Sequence, residues 1–142
     1  AWRELREGTL RSHHSVTFPP TAHLATDPAT GRVAERLGEM AASDLLRDYA
    51  QQNMPDVISG YFDDMYLTLK ELQRVIRPGG MMVYMVANSR HSDLPIATDL
   101  IIAEIARLIG FEPLKLLVLH KRNGRTRAKR YLRESVVILR KQ

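Results

Sequence analysis

An α/β fold built on a largely parallel sheet is predicted by three features of this chain. Residues 61–76 carry apolar side chains at helical spacing, Pro78-Gly79-Gly80 stops that run, and the unbroken apolar stretch Met81-Met82-Val83-Tyr84-Met85-Val86 follows at strand length. A helix, a tight turn and a buried strand in that order form the repeating unit of α/β sheets. A strand without alternation is expected to be covered on both faces by helices, as in parallel sheets.

Residues 1–31 hold His13-His14, Pro19-Pro20, Asp27-Pro28 and Gly31 without sustained periodicity, so they read as an irregular arm. From Arg32 to about Gln52, Val33, Leu37, Met40, Ala41, Leu45 and Tyr49 recur at three and four and predict a helix, which Asn53-Met54-Pro55-Asp56 ends. The helix over 61–76 places Phe62, Met65, Tyr66, Leu69, Leu72, Val75 and Ile76 on its stripe, with Asp63, Asp64, Lys70, Glu71 and Arg74 elsewhere. At that spacing Tyr61, Phe62, Met65 and Tyr66 read as core rather than as a base-stacking group.

After the strand comes a polar loop, residues 88–95, and then a helix over 97–109 whose stripe is Ala97, Ile101, Ile105, Leu108 and Ile109. Gly110 closes it. Two further strand-length runs, 111–119 and 135–139, flank a basic loop and predict an antiparallel pair at the edge of a mixed sheet.

The composition, 44% apolar and 26% charged over 142 residues, predicts one domain with a core. The chain has no Cys, which excludes disulfides and thiolate metal sites within it and fits a reducing compartment. No apolar run approaches the roughly 20 residues of a membrane span. Arg3, Glu4, Arg6 and Glu7 do not suit a signal peptide, so a cytoplasmic location without membrane contact is expected. His13, His14 and His23 lie in an irregular segment that does not fix ligands, so no metal site is expected. No Gly-x-Ser-x-Gly elbow supports a hydrolase.

The charge is unevenly spread. Lys121, Arg122, Arg125, Arg127, Lys129, Arg130 and Arg133 occur between His120 and Arg133 with no acid among them, while 16 acids outnumber the other 14 Lys and Arg. Such a focused patch attracts polyanions by counterion release.

The ordered series Tyr61-Phe62-Asp63-Asp64-Met65-Tyr66, Arg74-Val75-Ile76-Arg77-Pro78-Gly79-Gly80, Asn88-Ser89, Leu94-Pro95-Ile96-Ala97-Thr98-Asp99, Glu104-Ile105-Ala106, Ile109-Gly110-Phe111-Glu112, Lys121-Arg122-Asn123 and Arg133-Glu134-Ser135 resembles DNA modification methylases of the amino-methyltransferase class. The resemblance covers about 58–141. It implies the C-terminal half of a Rossmann-like class I methyltransferase sheet, in the order helix, strand, helix, strand, strand, with the last two strands antiparallel. It further implies S-adenosylmethionine as cofactor, DNA as partner, and methyl transfer to an exocyclic amino group of adenine or cytosine within restriction-modification. The chain begins at Ala1 without a Met and is expected to be a fragment, 1–57 an arm plus helix and 58–142 the C-terminal half of the catalytic domain.

Two departures from the family pattern stand out. No Gly-x-Gly follows a strand, so the loop that receives the cofactor's methionine part is not in this chain. The family's polar-Pro-Pro-aromatic tetrapeptide has only Phe18-Pro19-Pro20-Thr21 as a counterpart, without the polar first or aromatic last residue. The true motif is expected upstream, and the fragment alone is expected to be inactive.

Asn88 and Ser89 follow the strand at its C-terminal end, where ligands of open α/β sheets gather, and are the candidate residues near the active site. The plainer alternative for Asn88 is a chain turn through its own backbone. Lys121, Arg122, Asn123, Arg125, Arg127, Lys129 and Arg130 are the candidate nucleic-acid contacts, with Tyr131 available for stacking; a solvated hairpin tip is the alternative. For Arg133-Glu134 the alternative is a structural ion pair at the strand entrance, of little energetic worth if exposed.

The rival functions are an RNA or small-molecule methyltransferase and a non-catalytic nucleic-acid-binding module. If the first strands of the sheet lie elsewhere, strand 81–86 lacks neighbours unless helix 32–52 covers it or two copies pair, so a homodimer is also among the expectations.

Overall fold

The computed structural model describes residues 9–12, 20–43, 54–91, 94–121 and 132–142. They form two compact units, 1–68 and 69–142.

The first unit begins with a short helix, α1 (His23–Thr26), and a turn closed by Thr30 N–H to Asp27 C=O at 3.0 Å. It leads into α2 (Gly31–Ala41). This helix stops well short of the expected Gln52: Ala42 N–H bonds Gly38 C=O at 2.9 Å and Ser43 N–H bonds Met40 C=O at 3.2 Å, which tightens the last turn. The remainder of the expected helix lies outside the described residues. The long helix α3 (Met54–Val75) starts earlier than the spacing predicts, and Met54-Pro55-Asp56 opens it. Proline suits a first turn, where its missing N–H would have no intrahelical partner. Phe62, Met65 and Tyr66 are buried as core, and Tyr61 meets Phe62 edge to face at 5.2 Å. Asp63, expected off the stripe, is buried as well.

The second unit takes 69–75 of α3 and a three-stranded antiparallel sheet of β1 (Met81–Ala87), β4 (Phe111–Lys121) and β5 (Arg133–Lys141), in the order β1-β5-β4. The expected antiparallel pairing of the last two strands runs from Phe111 to Lys121, with register shifts between Pro113 and Lys115 and between Val118 and His120. The expectation for β1 does not hold: its only strand neighbour among the described residues is β5, and its burial alternates. Met82 and Val86 are buried and Tyr84 half-buried, whereas Met81, Val83 and Met85 are 59%, 67% and 67% exposed. An apolar run says only that both faces can be covered, not that this chain covers them.

On the buried face, register pairs Met82 with Leu139, Tyr84 with Val137 and Val86 with Ser135. Helix α4 (Thr98–Leu108) packs there, mainly over β4 and β5. Its buried stripe is Asp99, Ile102, Ile105 and Ala106, rotated from the expected one. The expected loop over 88–95 contains two three-residue strands, β2 (Ser89–His91) and β3 (Leu94–Ile96), paired antiparallel. They are too short for a period to reveal.

The turn before β1 rests on Gly79, whose φ of 74° lies in the left-handed region. Gly79→Ala is expected to lower stability by about 1 kcal/mol, because an L-residue with a Cβ is strained there. The change is read as a lower urea midpoint at unchanged slope.

Candidate functional site

The C-terminal end of β1 is tied to α4 and to the start of β5 by a buried polar network. Asn88 N–H donates to Arg133 C=O at 2.9 Å, extending the ladder one residue past β1. The Asn88 side-chain Oδ1 accepts from Asp99 N–H at 3.1 Å. That N–H belongs to the first turn of α4, where helical donors lack intrahelical partners, and Ala97 at the helix start has no side chain to satisfy them. Asn88 therefore caps α4 from across the chain, rather than turning its own backbone.

Asp99 is fully buried and at the centre of the network. Oδ2 accepts from Ser135 Oγ at 2.7 Å and Arg133 Nε at 2.8 Å, and Oδ1 accepts from Leu100 N–H at 2.9 Å. The helix N-terminus also favours a negative charge there. Burial, the largest single influence, pushes the carboxyl's pKa up, but the bonds and charge of Arg133 and the bond from Ser135 outweigh it. The net result is a folded-state pKa below the ordinary range of an aspartate carboxyl.

The sign of the pH dependence follows. The unfolded carboxyl binds a proton more readily than the folded one, so the contribution is complete above the unfolded pKa and is lost as pH falls through the folded one. Asp63 is shifted in the same direction. Urea midpoints are expected to be flat from pH 7 to about 5 and to fall below about 4. In Asp99→Asn that acid-side slope is expected to be shallower.

Of the residues expected at the site, Asn88 is 2% exposed and held as described, and Ser89 opens β2 half-buried. Lys121 ends β4, exposed, in register with Arg133. Arg122, Asn123, Arg125, Arg127, Lys129, Arg130 and Tyr131 lie outside the described residues, as do His13, His14 and Phe18-Pro19. Arg133 pairs with Asp99, which the spacing did not suggest, in place of the structural pair with Glu134. Its bond holds the β5 end of the basic segment against α4.

The first unit holds a second polar cluster. Arg11 binds Asp64 Oδ1 through Nη2 at 2.6 Å and through Nε at 3.0 Å, and Asp63 Oδ2 through Nη2 at 3.0 Å. Asp63 also accepts from Leu24 N–H at 2.6 Å and from the Thr21 hydroxyl. Burial raises its pKa most strongly, yet these donors together lower it. Tyr66 Oη donates to Asp27 at 2.5 Å; burial first, then that bond, push the phenol up to about 12. With these donors directed at the carboxylates, the cluster reads as a strut joining the segment around Arg11, α1 and α3. Beside it lies an open cavity of about 200 Å³ walled by Leu24, Ala34, Leu37 and Asp63. That is below the roughly 300–1,000 Å³ of ordinary small-molecule sites.

The described residues do not fit S-adenosylmethionine. The one glycine pair precedes β1 instead of following it, and a Cβ at Gly80 would meet Ile76 Cγ2 at 2.6 Å and Arg77 C=O at 2.8 Å. Its bareness serves the chain's own close approach, not a ligand's. Among the described residues there is also no cluster of three His, Cys, Asp or Glu able to hold a metal, and no helix long and apolar enough to cross a membrane.

Comparison with known proteins bears out the family resemblance. The chain is 34% identical over 94 residues to the Type II methyltransferase M.AvaI of Nostoc sp. strain PCC 7120, and equally to that of Anabaena variabilis, covering 62% of this chain and 20% of each relative. It is 32% identical over 68 residues to the Type II methyltransferase M.BsoBI of Geobacillus stearothermophilus, covering 48% of this chain and 13% of that relative. The chain thus spans about a fifth or less of the length of these relatives. No protein-family model matches it, and no solved structure matches it.

Proposed function

We propose that this chain is the DNA-facing, C-terminal sheet edge of a methyltransferase that transfers a methyl group from S-adenosylmethionine to an exocyclic amino group of adenine or cytosine in DNA. The observation that carries the reading is the 34% identity to M.AvaI over 94 residues. The topology supports it. β1 and β4 run parallel to one another, joined through α4, with β5 inserted antiparallel between them, which suits the closing edge of a Rossmann-like sheet.

An exocyclic amine has its lone pair delocalised into the ring, so the enzyme's main task is to hold it in line with the methyl donor. The base must first leave the duplex, at a cost of roughly a few kcal/mol that phosphate contacts offset. Lys121 and the basic residues following it are assigned to those contacts. Asn88 and Ser89 are assigned to the neighbourhood of the base, at the strand end where such ligands gather. The network of Asn88, Asp99, Arg133 and Ser135 keeps the strand end and the root of the basic segment in a fixed relation. In this reading the parent enzyme works in the cytoplasm, and the chain by itself neither holds the cofactor nor transfers methyl groups.

Isothermal titration of the full chain with S-adenosylmethionine, followed by duplex DNA at low salt, tests the reading. DNA binding without cofactor binding is expected. Binding of the cofactor would overturn the assignment of the cradle to residues outside this chain, and absence of DNA binding would remove the role of the basic segment. A non-catalytic nucleic-acid module gives the same titration, and methyl transfer by a chimera of this chain with M.AvaI separates the two.

A further inference from the structure

The start of β5 sets two cations side by side. Lys121 and Arg133 are register partners in the β4–β5 pair, and residues opposed in a ladder carry their side chains on the same face. That face is the one turned to α4, because Ser135, Val137 and Leu139, of the same parity along β5, are buried and Ser135 shares Asp99 with Arg133. Like charges directly opposed cost stability unless something negative meets them. Asp99 meets Arg133, whereas no ion pair holds Lys121 among the described residues.

Asp99 also meets Arg133 at one point only. It takes the Nε donor at 2.8 Å, and among the described residues neither Nη group has a partner. A guanidinium is planar, so a fixed Nε restricts where the Nη edge can point, and the paired N–H groups of that edge match two oxygens of a phosphate. The carboxylate responsible is fully buried and is itself held by Ser135 Oγ and Leu100 N–H, so the fork is oriented from inside the fold. The Arg133 side chain nevertheless stays 28% exposed. A cation ordered before its ligand arrives loses less freedom on binding than a free one. Its backbone adjoins Asn88, whose N–H bonds Arg133 C=O at 2.9 Å, which places the pair at the carboxyl end of β1. The held Nε and the opposed lysine are both internal to the second unit, whatever else packs on it.

We infer that Arg133 and Lys121 form a preset seat for one phosphodiester of DNA, which Arg133 grips through its Nη edge and Lys121 meets as a point charge. The inference rests on the DNA-methyltransferase reading and deepens it, by adding to the contacts of the basic segment one residue whose direction the fold determines.

Fluorescence anisotropy of the full chain with a labelled duplex, between 50 and 200 mM salt, tests it. The double variant Asp99→Asn with Arg133→Gln leaves the net charge unchanged, so attraction by net charge alone predicts no effect. The seat predicts a slope of log K against log salt shallower by about 0.9 and binding weaker by roughly eightfold at 100 mM salt, the contribution of one phosphate contact. Arg133→Lys conserves both the charge and the pairing with Asp99 but loses the fork, and is expected to bind several-fold more weakly than the parent chain. It keeps the test valid should the double variant fold poorly, and circular dichroism identifies folded samples. A folded double variant with the parent's slope, or Arg133→Lys binding as tightly as the parent, would overturn the inference and leave the DNA reading standing. A parent chain that binds no duplex would overturn both.

Discussion

Asp99→Ala is expected to lower the unfolding free energy of the sheet unit by about 3 kcal/mol, near the lower end of what removing one partner of a buried ion pair costs. Three losses combine. Ser135 Oγ, itself fully buried, loses its acceptor; Arg133 loses the carboxylate at 2.8 Å; and α4 loses the negative charge in its first turn. The figure stays near the lower end because the Arg133 side chain is 28% exposed and can turn its charge to water. Urea denaturation followed by far-ultraviolet circular dichroism reads the change. Ser135→Ala removes one neutral donor and is expected to cost much less, about 1 kcal/mol. Equal losses in the two variants would show that the carboxylate is not the hub of the network.

The second large effect concerns DNA. Replacing Lys121, Arg122, Arg125, Arg127, Lys129 and Arg130 together by Gln is expected to weaken duplex binding at 50 mM salt by a hundredfold or more and to flatten its salt dependence. Each phosphate contact contributes about −0.9 to the slope of log K against log salt, so six contacts account for a change of about 5. Fluorescence anisotropy with a labelled duplex between 50 and 200 mM salt measures both quantities. A parallel downward shift with no change of slope would mean that the substitutions damaged the fold rather than removed phosphate contacts. Circular dichroism on the same samples supplies the control.

The parts of the fold legible in the sequence are those with strong local punctuation. Pro78-Gly79-Gly80 ends α3 and releases β1, Gly110 separates α4 from β4, and the apolar runs of β4 and β5 are long enough to read. What misled was the inference from composition to surroundings. The run 81–86 resembles a strand buried on both sides, but whether its second face is covered depends on chain beyond the local segment, and here Met81, Val83 and Met85 face solvent. Met54-Pro55 looked like a stop and proved a start, because a proline that ends one helix is equally suited to the first turn of the next.

Asn88 was singled out from its place after the strand, and its observed contact is a cap on α4. Asp99 was not singled out, even though a signal for its buried position existed. It precedes Ile102 by three residues and Ala106 by seven, which places a carboxylate on the buried stripe of an apolar helix. Its partners Arg133 and Ser135 are 34 and 36 residues away, a distance no local pattern spans. Asp63 and Arg11, 52 residues apart, escaped for the same reason.

The central claim is tested most directly by exchange. The stretch of M.AvaI that this chain matches is replaced by the corresponding residues of this chain, and transfer of labelled methyl from S-adenosylmethionine to DNA is measured. The account predicts methyl transfer clearly above a DNA-free control, reduced when Asp99→Ala is introduced. A chimera that folds and binds both cofactor and DNA yet transfers no methyl would contradict it, and would leave a nucleic-acid-binding module as the better description of this chain.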